Sequence, residues 1–243
     1  MIVSYQSGGL YTLARQLNIK RQVYRGTRSY GTQELTHVIN WGIQPAGLRR
    51  FTLNKPILNA DISTATSKIK SFEAVDVRTP RVFQDAQEAA EAGIPYLARQ
   101  DHMTQGRGIT YHQAGEQSSE QADFYVEYIH RRYEVRIHVW CGDVIATQYK
   151  RQSPGAVICN HTAGAFFLTW PLEGYLGTKN AQRAKDMAVQ AVEEVGLDFG
   201  AVDILYGEDR KLYFLEVNTA PAVESDSMKQ VYTDILRRYY ASI

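Results

Sequence analysis

Asp203, Glu216 and Asn218 have the types and spacing to hold a divalent cation. Two short apolar runs, residues 201–205 and 212–217, flank the polar stretch Tyr206-Gly207-Glu208-Asp209-Arg210-Lys211, a pattern that predicts a β-hairpin. Side chains alternate faces along a strand, so Glu216 and Asn218 share a side and Val217 points the other way. A turn centred on Asp209-Arg210 places Asp203 directly opposite Glu216. Opposed residues have Cβ atoms about 4.5–5.5 Å apart, and like charges there are destabilising. Two carboxylates in an otherwise apolar hairpin therefore want a counter-charge. A divalent cation supplies it most simply, with Asn218 as a neutral oxygen beside the two acids. An all-oxygen set with few protein ligands suits Mg²⁺, which keeps waters and usually bridges to phosphates. The alternative is an edge hairpin whose polar residues face water.

A second group of polar residues lies upstream, on the most strictly alternating segment of the chain, residues 133–140. Glu134, Arg136 and His138 share one face of it, and Val135, Ile137 and Val139 the other. The chain turns at Cys141-Gly142-Asp143 and returns through residues 144–151, ending Gln-Tyr-Lys-Arg. A solvated charged face on an amphipathic hairpin explains this pattern without any chemistry. Between two further strands, residues 95–99 and 122–129, lies the polar loop 100–109. It contains Gly106-Arg107-Gly108, whose glycines let backbone amides approach phosphate oxygens closely.

The supporting elements read as follows. Residues 2–5 form a first strand, and Ser7-Gly8-Gly9 opens a helix with Leu10, Leu13, Ala14 and Leu17 on one stripe. A strand is expected at 37–41, then a basic, Gly/Pro-punctuated loop over 44–55. A helix carries Ala65, Ile69 and Phe72. Another spans 82–93, with Asp85 and Glu88 at capping-box spacing and Gly93 at its end. Residues 181–195 carry the strongest helical period, Ala184, Met187, Ala188, Ala191, Val192 and Val195, closed by Gly196. A final helix over 226–242 turns Met228, Val231, Ile235 and Tyr239 inward.

Bulk properties exclude several classes. The 243 residues carry 27 basic and 26 acidic side chains, a net charge of +1 that gives no reason to expect nucleic-acid or membrane binding. Cys141 and Cys159 form no Cys-x-x-Cys pair, which argues against a zinc site and for free thiols in a reducing cytosol. No signal peptide is visible, and the most apolar run, near 163–172, is too short to span a bilayer.

Taken together, Gly-Leu-Asp-Phe-Gly-Ala-Val-Asp-Ile-Leu and Phe-Leu-Glu-Val-Asn-Thr-Ala-Pro-Ala, over 196–205 and 214–222, resemble the ATP-grasp superfamily, especially its RimK-type carboxylate–amine ligases. The resemblance covers roughly residues 54–225. It implies an α+β ATP-grasp fold in which two α+β subdomains, 59–125 and 126–243, clamp ATP behind a short N-terminal α/β segment, 1–58. It implies two Mg²⁺ ions on Asp203, Glu216 and Asn218, with Mn²⁺ an acceptable substitute. Val126-Glu127-Tyr128-Ile129 resembles the hinge strand that meets the adenine, and Glu134 the acid that meets the ribose. Arg136 and Arg151 resemble the arginines at the acyl-phosphate, and Asn160 the Asn-x-x-x-Gly turn lining the active site. Lys68, Arg99, Lys150 and the loop with Gly106, Arg107 and Gly108 resemble the groups around the ATP phosphates. Most relatives carry a lysine where this chain has Arg99. Many have a glycine at the position of Ala222, and their N-terminal domains are longer than the region before Asn54.

The activity this resemblance implies is ATP-dependent joining of a carboxylate to an amine through an acyl-phosphate. The partners would be ATP, a carboxylate and an amine acceptor on an amino acid, peptide or protein. Compact members from phage genomes and peptide-modification clusters look like this chain. Cytoplasmic location and homo-oligomerisation are further expectations. An ATP-grasp kinase and a non-catalytic ATP-binding scaffold, such as a virion protein, are the alternative readings.

Overall fold

The computed structural model describes residues 2–4, 8–19, 21–23, 37–48, 56–101, 103, 108–151 and 166–242. Three sheets are built from them. The first is parallel, in the order β2-β1-β3-β4, from β1 (Ile2–Ser4), β2 (Arg21–Val23), β3 (Val38–Trp41) and β4 (Ile57–Leu58). Helix α1 (Gly8–Gln16) crosses from β1 to β2 and buries Leu10, Leu13 and Ala14, the stripe its sequence period marks. The short helix α2 (Pro45–Leu48) follows β3.

The second sheet is antiparallel, in the order β5-β8-β6-β7. It comprises β5 (Val82–Phe83), β6 (Tyr96–Arg99), β7 (Ile109–His112) and β8 (Phe124–Glu127). Two details differ from the sequence expectation. The helix expected around Ala65 and Phe72 is two helices, α3 (Ser63–Thr66) and α4 (Lys68–Ala74). Ser67 breaks the run with extended backbone, and its Oγ accepts from the Lys70 amide at 3.2 Å. The helix expected over 82–93 begins later, as α5 (Ala86–Glu91). Val82 and Phe83 pair instead with Val126 and Tyr125, and Asp85 caps the helix through the Glu88 amide at 2.8 Å. The Glu88 carboxylate reaches back to the Gln84 amide at 2.8 Å, one residue beyond the cap.

The third sheet is antiparallel, in the order β11-β10-β9-β12-β13. Its strands are β9 (Arg131–Trp140), β10 (Asp143–Arg151), β11 (Phe166–Leu168), β12 (Phe199–Gly207) and β13 (Leu212–Asn218). Helices α6 (Glu173–Leu176) and α7 (Thr178–Glu194) lie between β11 and β12. Helix α7 ends as its sequence predicts: Gly196 has φ +78°, its amide bonds to Glu193 O at 2.9 Å, and the Leu197 amide bonds to Val192 O at 2.9 Å. Helix α8 (Asp226–Ala241) buries Met228, Tyr232, Thr233 and Leu236. Its inward stripe is therefore rotated from the expected one; Val231, Ile235 and Tyr239 are only partly buried.

The cores do not follow chain order. Helix α8 packs with the first sheet, in one cluster holding Ile2, Leu13, Trp41, Phe199, Tyr232 and Leu236. The main core joins α3, α4 and α7 to the inner face of the third sheet, through residues such as Ile62, Phe72, Ala188, Val135, Ile137, Val202 and Phe214. A small satellite core of Phe83, Ala89, Tyr96, Ala98 and Tyr125 supports the second sheet.

Candidate active site

Strand register assembles the site. Gln148 of β10 lies opposite Arg136 of β9, Arg136 opposite Asp203 of β12, and Asp203 opposite Glu216 of β13. One transverse row thus crosses four strands on one face. The neighbouring row runs Ala146, His138, Ala201, Asn218.

Two bulges make this possible. The β9–β10 hairpin closes tightly at Cys141-Gly142, both with positive φ, in the manner of the two-residue turns that match strand twist. Its first pairs would carry Lys150 to the core face. Ile145 is an extra residue, and the register beyond it brings Gln148 and Lys150 to the same face as Arg136 and Glu134. In the second hairpin the turn-end pairs, Tyr206 with Leu212 through Ile204 with Phe214, would set Leu215 against Asp203. Leu215 is the extra residue there, and Glu216 takes its place.

The row is buried and ion-paired. Asp203, 2% exposed, accepts two bonds from Arg136: Nε to Oδ1 at 2.6 Å and Nη2 to Oδ2 at 2.8 Å. Lys150 Nζ adds a third, to Oδ2 at 2.8 Å, and also meets the Glu134 carboxylate. Arg131 holds the other oxygen of Glu134 at 2.8 Å. Burial pushes the Asp203 carboxyl upward, and the charges of Arg136 and Lys150 outweigh it, so it stays well below the ordinary carboxylate range. Burial favours the neutral forms of Arg136 and Lys150, but Asp203 raises both above their usual values. The Phe167 ring lies over the pair, 4.6 Å from the Arg136 guanidinium carbon and 5.9 Å from Lys150 Nζ.

One sequence expectation is extended here and one is corrected. Asp203 has counter-charges in Arg136 and Lys150, which the hairpin's sequence does not supply. The face carrying Glu134, Arg136 and His138 is covered rather than solvated. His138 is buried, with Nδ1 2.9 Å from the Tyr232 hydroxyl of α8 and Nε2 2.9 Å from Gln148 Oε1. Burial pushes its pKa down to about 4, so it is a neutral link between sheet and helix.

Glu216 is different. It is partly buried and, among the described residues, its carboxylate makes no hydrogen bond or ion pair. Its charge is felt at Arg136, and also at Lys68 and Arg99 across the site. Arg99 ends β6, and its guanidinium carbon lies 5.6 Å from the Phe124 ring centre. Its Nε is buried without a hydrogen-bond partner among the described residues. Burial lowers the pKa of Arg99, and likewise that of Lys68. A buried donor left unmatched costs free energy, so a site holding one suits an anionic ligand.

Lys68 opens α4 and is held by Asp101, a residue the sequence reading did not single out. The Asp101 carboxylate accepts from the Lys68 amide at 2.6 Å, the Ile69 amide at 3.2 Å and the Ser67 hydroxyl at 2.7 Å. Lys68 Nζ bonds to the carbonyls of Asp101 and Met103 at 3.0 and 2.7 Å. A cap reaching across 33 residues leaves no local sequence signal. Arg131 left none either: three residues before Glu134 on a strand it belongs by alternation to the opposite face, and the register shift at the start of β9 brings the two together.

The remaining expected site residues divide as follows. Arg151 ends β10 exposed, 5.7 Å from the Phe166 ring, outside the buried cluster. At the expected hinge, the Glu127 and Tyr128 amides already donate to Arg81 O and Pro95 O at 2.8 and 2.9 Å. An adenine meeting residues 126–129 would have to use other groups there, such as carbonyls or Ile129. Gly108 has φ +64°, and a Cβ on it would lie 2.8 Å from Gln100 Oε1. Gly106, Arg107 and Asn160 lie outside the described residues, as does Cys159; Cys141 is a free, exposed thiol.

The donor set fits a hard cation. Among the described residues no group of three His, Cys, Asp or Glu side chains could hold a metal. The candidate set is two carboxylates and an amide, in adjoining rows of one face. Asn218 Nδ2 donates to Ala201 O at 3.3 Å, which leaves Oδ1 as its acceptor. Glu216 offers a carboxylate that nothing else in the described structure claims. Oxygen donors alone suit Mg²⁺ or Mn²⁺.

Solved structures share this fold. The ATP-grasp ligase PsnB complexed with minimal precursor, Mg and ADP superposes with a TM-score of 0.67 at 15% identity, covering 98% of this chain and 95% of that one. A Chryseobacterium gregarium RiPP-associated ATP-grasp ligase, in complex with ADP and a leader and core peptide, gives 0.63 at 13% identity, with 98% and 96% covered. D-cycloserine synthetase DcsG gives 0.64 at 13% identity, with 97% and 98% covered. No protein of curated function matches the sequence. Residues 117–243, just over half of the chain and the part that carries the row from Gln148 to Glu216, match the RimK-like ATP-grasp domain, and the protein therefore belongs to the RimK-like ATP-grasp family.

Proposed function

We propose that this protein is an ATP-dependent carboxylate–amine ligase. The observation that carries the reading is the cationic group around Glu216 and Asp203: the charge of Glu216 is felt at Lys68, Arg99 and Arg136, Arg136 and Lys150 bond to Asp203, and Arg99 Nε is buried with no hydrogen-bond partner among the described residues. That arrangement suits a polyphosphate, whose tail Lys68, Arg99 and Lys150 would neutralise.

A carboxylate oxygen attacks the γ-phosphorus of ATP and ADP leaves. The resulting acyl-phosphate is attacked at carbon by an amine, and phosphate leaves with formation of the amide. Catalysis of this kind is chiefly positioning and charge stabilisation. Arg136 is fixed by its two bonds to Asp203 and the ring of Phe167, so its charge is preorganised at the acyl-phosphate. Arg151 would approach the same group from the exposed end of β10. Asp203, Glu216 and Asn218 would hold Mg²⁺, which supplies charge neutralisation at the phosphates when bound. Solved relatives contain precursor peptides, which supports a peptide or protein carboxylate over a free amino acid as the substrate.

Hydroxylamine trapping tests the proposal. Incubation with ATP, Mg²⁺ and pooled amino acids and peptides should give ADP and a hydroxamate whose mass names the carboxylate. The Glu216→Gln variant should lose this by about a hundredfold or more while staying folded; undiminished hydroxamate in that variant would overturn the metal assignment. A second reading, an ATP-binding scaffold without turnover, draws on one observation: Asp203 is already neutralised by Arg136 and Lys150. Nucleotide binding without ADP formation, with every acceptor pool, would favour it. A phosphorylated product without a hydroxamate would indicate a kinase.

A further inference from the structure

The segment that follows Asn218 is seated on the first sheet. In an open parallel sheet, the crevice beyond the carboxyl ends of the strands, where strand order reverses, is where ligands usually bind. Here the order β2-β1-β3-β4 reverses at β1, and the chain's own residues 219–224 come to that place. Trp41, the last residue of β3, donates from Nε1 to Pro221 O at 3.2 Å. The Gly9 amide, in the first turn of α1, faces Glu224 Oε1 at 3.4 Å. Val223 is fully buried, in one cluster with Ile2, Leu10, Leu13 and Trp41.

Two glycines allow this approach. A Cβ on Gly42 would lie 2.7 Å from Ala220 Cβ, and Gly42 also needs its φ of +86°. A Cβ on Gly9 would lie 2.5 Å from the Val223 carbonyl oxygen, a backbone atom that cannot turn aside. Gly9 has helical backbone, where alanine is the better residue, so local propensity alone predicts no loss on substitution. Whatever Gly9→Ala costs must come from the contact with Val223.

We infer that Gly9 is a positioning residue for the proposed metal site: by admitting Val223 against α1, it fixes the segment that anchors Asn218 at the end of β13. The N-terminal sheet then serves as a seat for the site's last ligand. This rests on the assignment of Asp203, Glu216 and Asn218 as metal ligands. Because the constraint is geometric, it should be read in metal affinity rather than in turnover alone.

The test is titration of Mn²⁺ in the presence of ADP, with free Mn²⁺ read by electron paramagnetic resonance. Folded Gly9→Ala should bind Mn²⁺ about tenfold or more weakly, the scale of loss seen when a ligand's supporting group is disturbed. Trp41→Phe, which keeps an aromatic ring but removes the bond to Pro221 O, should weaken binding in the same direction, and it serves as the test if Gly9→Ala does not fold. Gly115→Ala, at a glycine with φ +77° and no atom within 4 Å of its added Cβ, should leave Mn²⁺ affinity unchanged. Full affinity in Gly9→Ala and Trp41→Phe, with weak binding in Glu216→Gln, overturns the inference and leaves the ligand assignment standing. Full affinity in Glu216→Gln overturns the ligand assignment, and the inference falls with it.

Discussion

Single residues in this site owe their charge states to what covers them. Asp203 stays ionised because three donors converge on two oxygens, a geometry that offsets its desolvation. His138 sits in the adjoining row with no such partner and is held neutral, which gives a pH signature. Its folded pKa of about 4 lies below its unfolded value of 6.5, so between these the unfolded chain binds more protons. Stability is therefore full above about pH 6.5, is lost as pH falls toward 4, and levels off below. The expected loss is on the order of 3 kcal/mol. Urea melts of the protein and of His138→Gln between pH 7 and 4 check this: the variant should lack that part of the slope, and parallel curves would refute it.

At the scale of elements, the two bulges decide the chemistry. Paired regularly through Ile145, with no bulge, the first hairpin would turn Lys150 into the core, and paired regularly through Leu215 the second would turn Glu216 there, because a one-residue slip reverses every side chain beyond it. Each hairpin is thus recognisable from its alternation while its functional register depends on an irregularity. Helix α7, whose buried stripe braces the inner face of these strands, ends on a left-handed glycine. Gly196 has open space where a side chain would go, so Gly196→Ala carries backbone strain alone. It should cost about 1 kcal/mol, lowering the thermal midpoint by roughly 2–4 °C without affecting nucleotide binding. A calorimetric scan beside an ADP titration measures both.

Across the whole molecule, polar residues at the seams join units that are distant in sequence. Asn59 is fully buried with φ +55°, and its Oδ1 accepts from the amides of Asp198 and Phe199 at 2.8 and 3.1 Å. Its Nδ2 donates to Phe199 O at 2.8 Å, and Asn40 of β3 bonds to its carbonyl at 2.8 Å. Asn59 thus adds a polar tie between the first sheet and β12 to the packing of Trp41 on Phe199. Asn59→Ala takes the partner from three backbone groups, two of them buried, and places alanine in left-handed backbone. The loss should be about 3 kcal/mol or more, or roughly 10 °C in the thermal midpoint. A loss below about 1 kcal/mol would mean that the seam contributes little.

The sequence by itself determined the elements and the pairing that depends on period. The strict alternation of β9, the apolar stripe of α7 and the opposition of Asp203 to Glu216 were legible there, because each follows from spacing along one element or along two neighbouring strands. The last was legible for an incomplete reason: the turn-end register alone sets Leu215 against Asp203, and the bulge restores Glu216. Family membership was legible in the same stretches. Tertiary structure alone decided what covers each face. Nothing near His138 in sequence announces Tyr232, and nothing near Lys68 announces Asp101. Whether Glu134 and Arg136 face water or each other's partners depends on a helix and strands far along the chain. Burial and counter-charge are set by long-range contacts, and those contacts fix which groups stay ionised, which stay neutral and which remain free to meet a ligand.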